Sequence, residues 1–295
     1  MNFEQLRSFH AVATRGGFSR AAESLYLTQS TISMQVRALE KELGVRLFER
    51  LGRRVMLTAE GQSMLGYASR ILSQAEAARR EMAAFRGVET GELLVGASLT
   101  IGNYLLPELF GSFRRLHPGV RLVLDIAPTY RVAEQVASAA LDLGLVEAEV
   151  SDQELETRPF RVDELVLIVP PGHRWAERGW VSVTDLPEEP FLEREPGSGT
   201  REIVQGRLAE QGVQVTPVLE LGSPEALKSA VRAGMGVAIV SRATVDLELQ
   251  VGVLRVVPVR GLRLTRPFLI VLHRGKHRSP VLSAFLELLW SSFKE

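Results

Sequence analysis

Apolar positions recur at helical spacing through the first eighty-odd residues of the chain and at strand-like spacing after them. Residues 3–14 place Leu6, Phe9, Val12 and Ala13 on one side of a helix, and Gly16-Gly17 stops it. Ser19 then offers an N-cap for a short helix, Arg20 to Leu25, with Ala21, Ala22 and Leu25 apolar or small. Thr28 is a second N-cap. The helix behind it carries Ile32, Val36, Leu39 and Leu43 as one buried stripe and ends at Gly44. Val45–Phe48 and Val55–Leu57, joined through Leu51-Gly52, predict a small two-stranded wing.

Thr58 caps a long helix, about Ala59 to Arg86. Its apolar positions Met64, Ala68, Ile71, Ala75, Ala78, Met82 and Phe85 alternate by four and three, an unbroken heptad stripe. At 1.5 Å per residue the helix is roughly 40 Å long. Such a stripe packs on its own domain or on a second copy of the chain. The charged Arg70, Glu76, Arg79 and Arg80 around it favour a coiled coil with a second copy.

From Glu92 onward strands and helices alternate. Strands are predicted at Leu93–Ala97, Val120–Ile126, Asp142–Val146, Leu165–Val169, Pro190–Glu193, Val215–Leu221, Val237–Ser241, Leu254–Val259 and Phe268–His273. Helices are predicted near 101–116, 130–140, 200–211, 224–233 and 280–293. This is α/β structure with sheets covered on both faces, and two hundred residues of it suit two lobes. The chain is expected to pass between lobes near Val162–Glu164 and again near Arg263–Pro267. The predicted organisation is a helical and winged region at 1–58, a linker helix at 59–87 and a two-lobed α/β domain at 91–295. Its first lobe takes 91–162 and 267–295 and its second 163–266. In fold class the chain is α+β multidomain.

The 295 residues include no cysteine, which removes disulfides, thiolate metal sites and cysteine nucleophiles from consideration. No apolar run reaches membrane-helix length and the N-terminus lacks a secretory pattern, so a cytoplasmic location without membrane contact is expected. Net charge is zero, but residues 1–90 carry 13 Lys and Arg against 9 Asp and Glu, and the remainder is acidic. That asymmetry suits a chain whose first part alone meets nucleic acid.

The second of the two short helices presents Gln29, Ser30, Thr31, Ser33, Met34 and Arg37 on its outer face, and the wing brings Arg50, Arg53 and Arg54 together. Gln pairs with adenine edges, Arg with guanine or phosphate, and a basic wing tip with the backbone. Caps, turn, stripe and basic wing within sixty residues predict a helix-turn-helix that binds double-stranded DNA.

In a two-lobed α/β domain, ligands bind at strand ends and helix starts. Ser98, Thr100 and Ile101 follow the first strand. Ser198, Gly199, Thr200 and Arg201 precede a helix in the second lobe, and Thr129 lies beyond the second strand. Free N–H groups at these starts suit an anion. Each hydroxyl alone is also an ordinary cap. Glu147 is awkward beside an anion. It is expected to pair with Arg201, to face an effector bearing a proton or an amine, or to lie solvated outside the cleft.

The run from Phe9 through Gly17-Phe-Ser-Arg-Ala-Ala-Glu-Ser-Leu25, Thr28-Gln-Ser-Thr-Ile-Ser33 and Leu39-Glu-Lys-Glu-Leu-Gly44 to Leu47-Phe-Glu-Arg50 resembles the N-terminal signature of LysR-type transcriptional regulators. Leu57-Thr-Ala-Glu-Gly61 resembles the family's entry to its linker helix. Ser30 stands where many relatives have proline, and Leu51 where a small polar residue is common. The resemblance implies a winged helix-turn-helix, a dimerising linker helix and an effector domain similar to periplasmic binding proteins. It also implies a homodimer or homotetramer, acting as activator or repressor, with RNA polymerase as a further contact. Glu195–Arg201 and Leu145-Val-Glu147 resemble the branch that controls carbon fixation and sulfur metabolism, whose effectors are small anions or phosphorylated metabolites.

A solute-binding protein on the same scaffold is the alternative, and ninety residues of DNA-reading chemistry oppose it. No Walker loop, dinucleotide fingerprint, Gly-x-Ser-x-Gly or His-Glu-x-x-His is present, and His10, His117, His173, His273 and His277 are scattered. Neither an enzyme, nor a cofactor, nor a metal site is expected.

Overall fold

The structure, a computed structural model, describes residues 1–51, 54–84 and 91–293. It holds two compact units, one containing Met1–Met82 and the other containing Ala83–Ala137 and Leu141–Glu295.

In the first unit, α1 (Phe3–Arg15) opens on a capping box. Asn2 Oδ1 accepts from Gln5 N, and Gln5 Oε1 accepts from Asn2 N. Gly16, at φ 68°, ends it in the left-handed region. The next helix, α2, runs Phe18–Leu25 with Gly17 before it and no side-chain cap. Ser19 is therefore inside the helix rather than capping it. Burial of the Phe18 ring, 5.8 Å edge-on to Phe48, draws the first turn forward. In α3 (Gln29–Leu43) the Thr28 hydroxyl accepts from Thr31 N, and Gly44 closes the helix at φ 71°. Leu6, Phe9 and Val12 meet Ala21, Ala22, Ile32, Val36 and Leu39 in one core.

The wing is the antiparallel pair β1 (Phe48–Leu51) and β2 (Arg54–Leu57), registered Phe48 to Leu57 and Leu51 to Arg54. Val45 to Leu47, predicted as strand, are a bend and irregular chain instead. The Glu40 carboxylate accepts from Leu47 N (2.8 Å) and Phe48 N (3.3 Å), so α3 holds this segment through a side chain.

The long helix α4 (Ala59–Ala84) begins where the Thr58 hydroxyl accepts from Gly61 N (2.9 Å) and donates to Arg46 O (2.7 Å). Its heptad stripe is divided. Ala68 is fully buried in the first unit's own core, and Met64 and Ile71 pack against that core. Ala75 is half-buried and Ala78 exposed. The expectation of one continuous seam for a second copy is thus corrected over its first half, where α1 and the wing supply the partner surface. Met82 lies on the helix; Phe85 lies outside the described residues.

The second unit runs β3 (Gly91–Ala97), a π-helical turn at Ile101–Leu105 leading into α5 (Leu106–Leu116), β4 (Val120–Ile126), α6 (Thr129–Ala137) and β5 (Leu143–Val146). Then come β6 (Leu155–Val169), α7 (Arg174–Arg178), β7 (Val181–Ser182), β8 (Phe191–Arg194), α8 (Gly199–Glu210), β9 (Pro217–Leu221), α9 (Pro224–Arg232) and β10 (Val237–Ser241). The unit closes with α10 (Asp246–Gln250), β11 (Arg255–Val257), β12 (Val259–Arg260), β13 (Thr265–His273) and α11 (Pro280–Phe293). Strand order is β4-β3-β5-β13-β6-β10-β8-β9, with β11 also on β6.

Two strands carry the chain between the lobes. The first half of β6 pairs with β13, from Leu155 opposite His273 to Glu164 opposite Thr265. Its second half, Leu165–Val169, pairs with β10 and β11. The sequence pattern predicts a strand only over Leu165–Val169. The earlier half escaped because it is mostly exposed and charged. Period-two burial splits each sheet's faces between two cores. Leu165, Leu167 and Val169 enter one core of the second lobe, and Val166 and Ile168 the other. Phe268, Ile270 and Leu272 face α5 and α11, whereas Leu269 and Val271 face α6.

Candidate functional site

In the first unit the outward side of α3 carries the candidate nucleic-acid contacts. Gln29, Ser30, Met34 and Arg37 are exposed and Ser33 is half-buried. The hydroxyls of Ser30 and Thr31 each lie 2.8 Å from Thr28 Oγ1, so both are partly engaged in capping. Ser33 and Arg37 line a groove between α3 and the wing with Arg46, Phe48 and Glu49. Arg50 and Arg54 fall on the wing strands, and Arg53 lies outside the described residues. Three residues orient α3 against α1. Ser8 donates to Gln35 Oε1, and Gln35 Nε2 donates to Glu4 (3.3 Å).

In the second unit the ends of β3 and β5 and the start of α8 converge where β6 and β13 cross between lobes. Glu147, just past β5, is buried. Ser98 Oγ donates to Glu147 Oε1 at 2.7 Å and Thr100 N at 3.0 Å. Arg266 Nη1 lies 2.6 Å from Glu147 Oε2 and donates to Thr200 Oγ1 at 3.0 Å. Arg266 Nε donates to Asp163 Oδ2 (2.8 Å), and Ser241 Oγ donates to Asp163 Oδ1 (2.7 Å). Arg266 is 1% exposed, so the whole network is shielded from water. Its Nη2 is buried and has no hydrogen-bond partner among the described residues.

The two carboxylates respond differently. Burial works to raise the Glu147 pKa, but Arg266, Ser98 and Thr100 outweigh it and hold the carboxyl below its ordinary value. At Asp163 burial prevails over Arg266 and Ser241, with the Glu147 charge adding to it, and the pKa is raised.

Glu147 therefore pairs with Arg266, not with Arg201, and is not solvated. Arg201 points to β8 and β9 instead, 3.2 Å from Glu193 and 2.8 Å from Glu220. Ile101 is fully buried in the core of the first lobe and presents nothing to a cleft. Ser198 and Gly199 start α8 without a side-chain cap, and Gly199 lies against Glu147 and Ala148. Thr129 is half-buried at the start of α6, apart from this network.

Sequence reading missed Arg266, Asp163 and Ser241. Charged Asp163 and Arg266 at the two predicted crossing segments were the available signal. It also missed a second cluster across the lobes. Tyr104 in the π-helical turn donates to Glu225 on α9, and its ring centroid lies 5.1 Å from Lys228 Nζ. Lys228, itself buried, donates to Thr244 O (2.6 Å) and pairs with Glu248 (2.8 Å). Burial and Glu225 raise the Tyr104 pKa. Arg194, at the end of β8, is buried and paired through two nitrogens with Glu195.

Among the described residues no group of three or more His, Cys, Asp or Glu could hold a metal ion, and no helix is long and apolar enough to cross a membrane.

A helix-turn-helix with a wing, joined to a two-lobed α/β domain with a polar junction between its lobes, defines a ligand-binding transcriptional regulator. Residues 3–62 match the bacterial regulatory helix-turn-helix protein, lysR family, and residues 86–294 match the LysR substrate binding domain. The chain belongs to the LysR family of transcriptional regulators. It is 36% identical over 291 residues to the RuBisCO operon transcriptional regulator of Allochromatium vinosum, covering 99% of this chain and 96% of that one. Full-length CbnR complexed with its target DNA superposes with TM-score 0.74 at 26% identity, covering 99% of this chain and all of CbnR. The Synechocystis CcmR regulatory domain in complex with 2-PG superposes with TM-score 0.64 at 30% identity, covering 69% of this chain and 98% of that one.

Proposed function

We propose that this regulator senses a small anionic metabolite held between the two lobes of its C-terminal domain and transmits its binding to DNA. One observation carries the reading. Ser98, Thr100 and Arg266 direct a hydroxyl, an amide and a guanidinium at one carboxylate position, with Thr200 of the opposite lobe on the same arginine. Those are the donors an anion needs. The second lobe also buries Arg194 and Lys228, each paired with a carboxylate, Glu195 and Glu248 respectively. The CcmR regulatory domain, similar over the whole effector region, is described with 2-PG, which supports a phosphorylated carboxylate as the ligand class. The relative from Allochromatium supports carbon-fixation genes as the target.

Residues 1–58 form the DNA-binding part, 59–87 the linker helix and 91–295 the effector domain, in the lobes given above. Gln29, Ser30, Ser33, Met34 and Arg37 address the major groove, and Arg50, Arg53 and Arg54 the backbone. The far part of the linker stripe, Ala75, Ala78, Met82 and Phe85, joins a second copy. The protein works in the cytoplasm and has no catalytic step of its own.

The 2-PG of the CcmR complex tests the ligand class in a thermal unfolding titration of the full chain. At about 100 times its Kd the ligand adds roughly 2.7 kcal/mol of stability. A selective upward shift supports the reading. A flat response to this and to other phosphorylated metabolites, at concentrations that saturate related sites, rejects it.

A further inference from the structure

We propose that the oxyanion site formed by Ser98, Thr100 and Arg266 is filled by the protein's own Glu147, and that an anion from solution enters only by exchange with that side chain. The proposal rests on the anionic-effector reading and adds how the site is regulated.

The Glu147 carboxylate has the environment of a bound ligand. It accepts from the Ser98 hydroxyl and the Thr100 amide through one oxygen and meets the Arg266 guanidinium through the other. These donors come from the end of β3 and from β13, so the carboxylate spans elements that do not otherwise hydrogen-bond to one another here. A foreign carboxylate or phosphate placed on the same donors would stand where Glu147 stands. Two like charges cannot share the position at contact distance.

Arg266 retains spare capacity. Its Nε serves Asp163 and its Nη1 serves Glu147 and Thr200, while Nη2 is buried without a partner among the described residues. A buried guanidinium nitrogen left unpaired costs free energy. A tetrahedral anion offers more oxygens than a carboxylate and could use that nitrogen as well.

A displaced Glu147 side chain also has somewhere to go. It lines a groove of about 370 Å³ with Gly199, Arg207 and Pro267. Arg207 in this groove is already paired with Glu210 at 2.9 Å, and Glu149 and Glu202 line the same groove and oppose a further carboxylate. Exchange is therefore uphill for the protein alone. The resident carboxylate acts as an internal competitor that weakens every anion and admits only one with further contacts elsewhere in the cleft.

The test is calorimetric titration of full-length wild type and Glu147→Ala with sodium formate and with inorganic phosphate, at ionic strength held constant with chloride. Glu147→Ala is expected to bind both at least tenfold more tightly than wild type. Adding Ser98→Ala to that variant should remove most of the gain, which a general salt effect would not do. Equal affinities in wild type and Glu147→Ala overturn the proposal, as does a gain that ignores Ser98. If Glu147→Ala does not fold, Glu147→Gln keeps the side-chain shape without the charge. It should then bind phosphate at least threefold more tightly than wild type, and no gain overturns the proposal. The 2-PG of the CcmR complex is titrated in parallel. Its failure to bind any of these proteins rejects the effector class while leaving the formate and phosphate results to decide the role of Glu147.

Discussion

Arg266 on the crossing strand β13 donates to the hydroxyl of Thr200, the second residue of α8, at 3.0 Å. The same guanidinium holds Glu147 of the first lobe and Asp163 of the crossing strand β6. One side chain thus ties both lobes and both crossings. Substituting Arg266→Met leaves two buried carboxylates without their cation. Breaking a buried pair in this way costs about 3–5 kcal/mol. Urea denaturation followed by fluorescence should show that loss in the effector domain, and a change under 1 kcal/mol would contradict the pairing.

The two carboxylates on Arg266 act on opposite limbs of the pH profile. The Glu147 pKa is lowered from its ordinary 4.5, so its stabilisation is complete above that value and fades as pH falls through the folded value. The Asp163 pKa is raised from 3.8, so the folded state holds its proton longer and loses stability as pH rises through the raised value. Stability measured against pH should therefore lose part of its acid-side fall in Glu147→Gln. Asp163→Asn should instead remove a decline with rising pH that begins above 3.8. The same change in both variants would contradict the assignment.

In the first unit two glycines of α4 should respond with opposite sign. A Cβ on Gly61 would meet Leu47 O at 2.0 Å, a backbone atom that cannot step aside, whereas one on Gly66 meets nothing within 4 Å. Gly61→Ala should destabilise the unit by about 1–3 kcal/mol. Gly66→Ala should stabilise it by up to about 1 kcal/mol through helix propensity alone. Thermal unfolding of the two variants separates these outcomes. Loss in both would mean that Gly66 faces a surface absent from this arrangement.

Gln29 and Arg37 are both exposed on α3, but their chemistry differs. Gln29→Ala should relax the preference at one base pair by about 1–3 kcal/mol and leave the salt dependence alone. Arg37→Ala should weaken binding evenly across sequences and lower the slope of log affinity against log salt by about one. Fluorescence anisotropy on operator variants at several salt concentrations reads both. Interchanged behaviour would reassign Arg37 to a base edge.

Val120–Ile126 and Val237–Ser241 match their predicted limits, the second as a short run buried throughout, and α11 spans 280–293 as predicted because its apolar positions recur on one face. The first half of β6 is illegible because most of it is exposed, Thr157, Arg158, Arg161 and Val162 among them, and only Leu155, Phe160 and Asp163 are buried there. Ser98, Thr100, Ser198 and Thr200 were legible as hydroxyls at helix starts. Their partner was not. Arg266 comes from 66 residues beyond Thr200 and 119 beyond Glu147, and only strand pairing brings it to them. Arg201 carries the right charge in the right motif, yet Glu193 and Glu220 on neighbouring strands claim it. The linker stripe shows its period plainly in the sequence, but period alone does not say whether the neighbour is the same chain or another.

If an anion in the C-terminal domain changes how the helix-turn-helix engages DNA, footprints of the full-length protein on its own promoter should differ with and without saturating 2-PG. The protected region or its hypersensitive positions should change with ligand in wild type and stay unchanged in an Arg266→Met protein that still binds DNA. A ligand that binds and stabilises the protein while leaving the footprint and transcription identical would contradict that coupling.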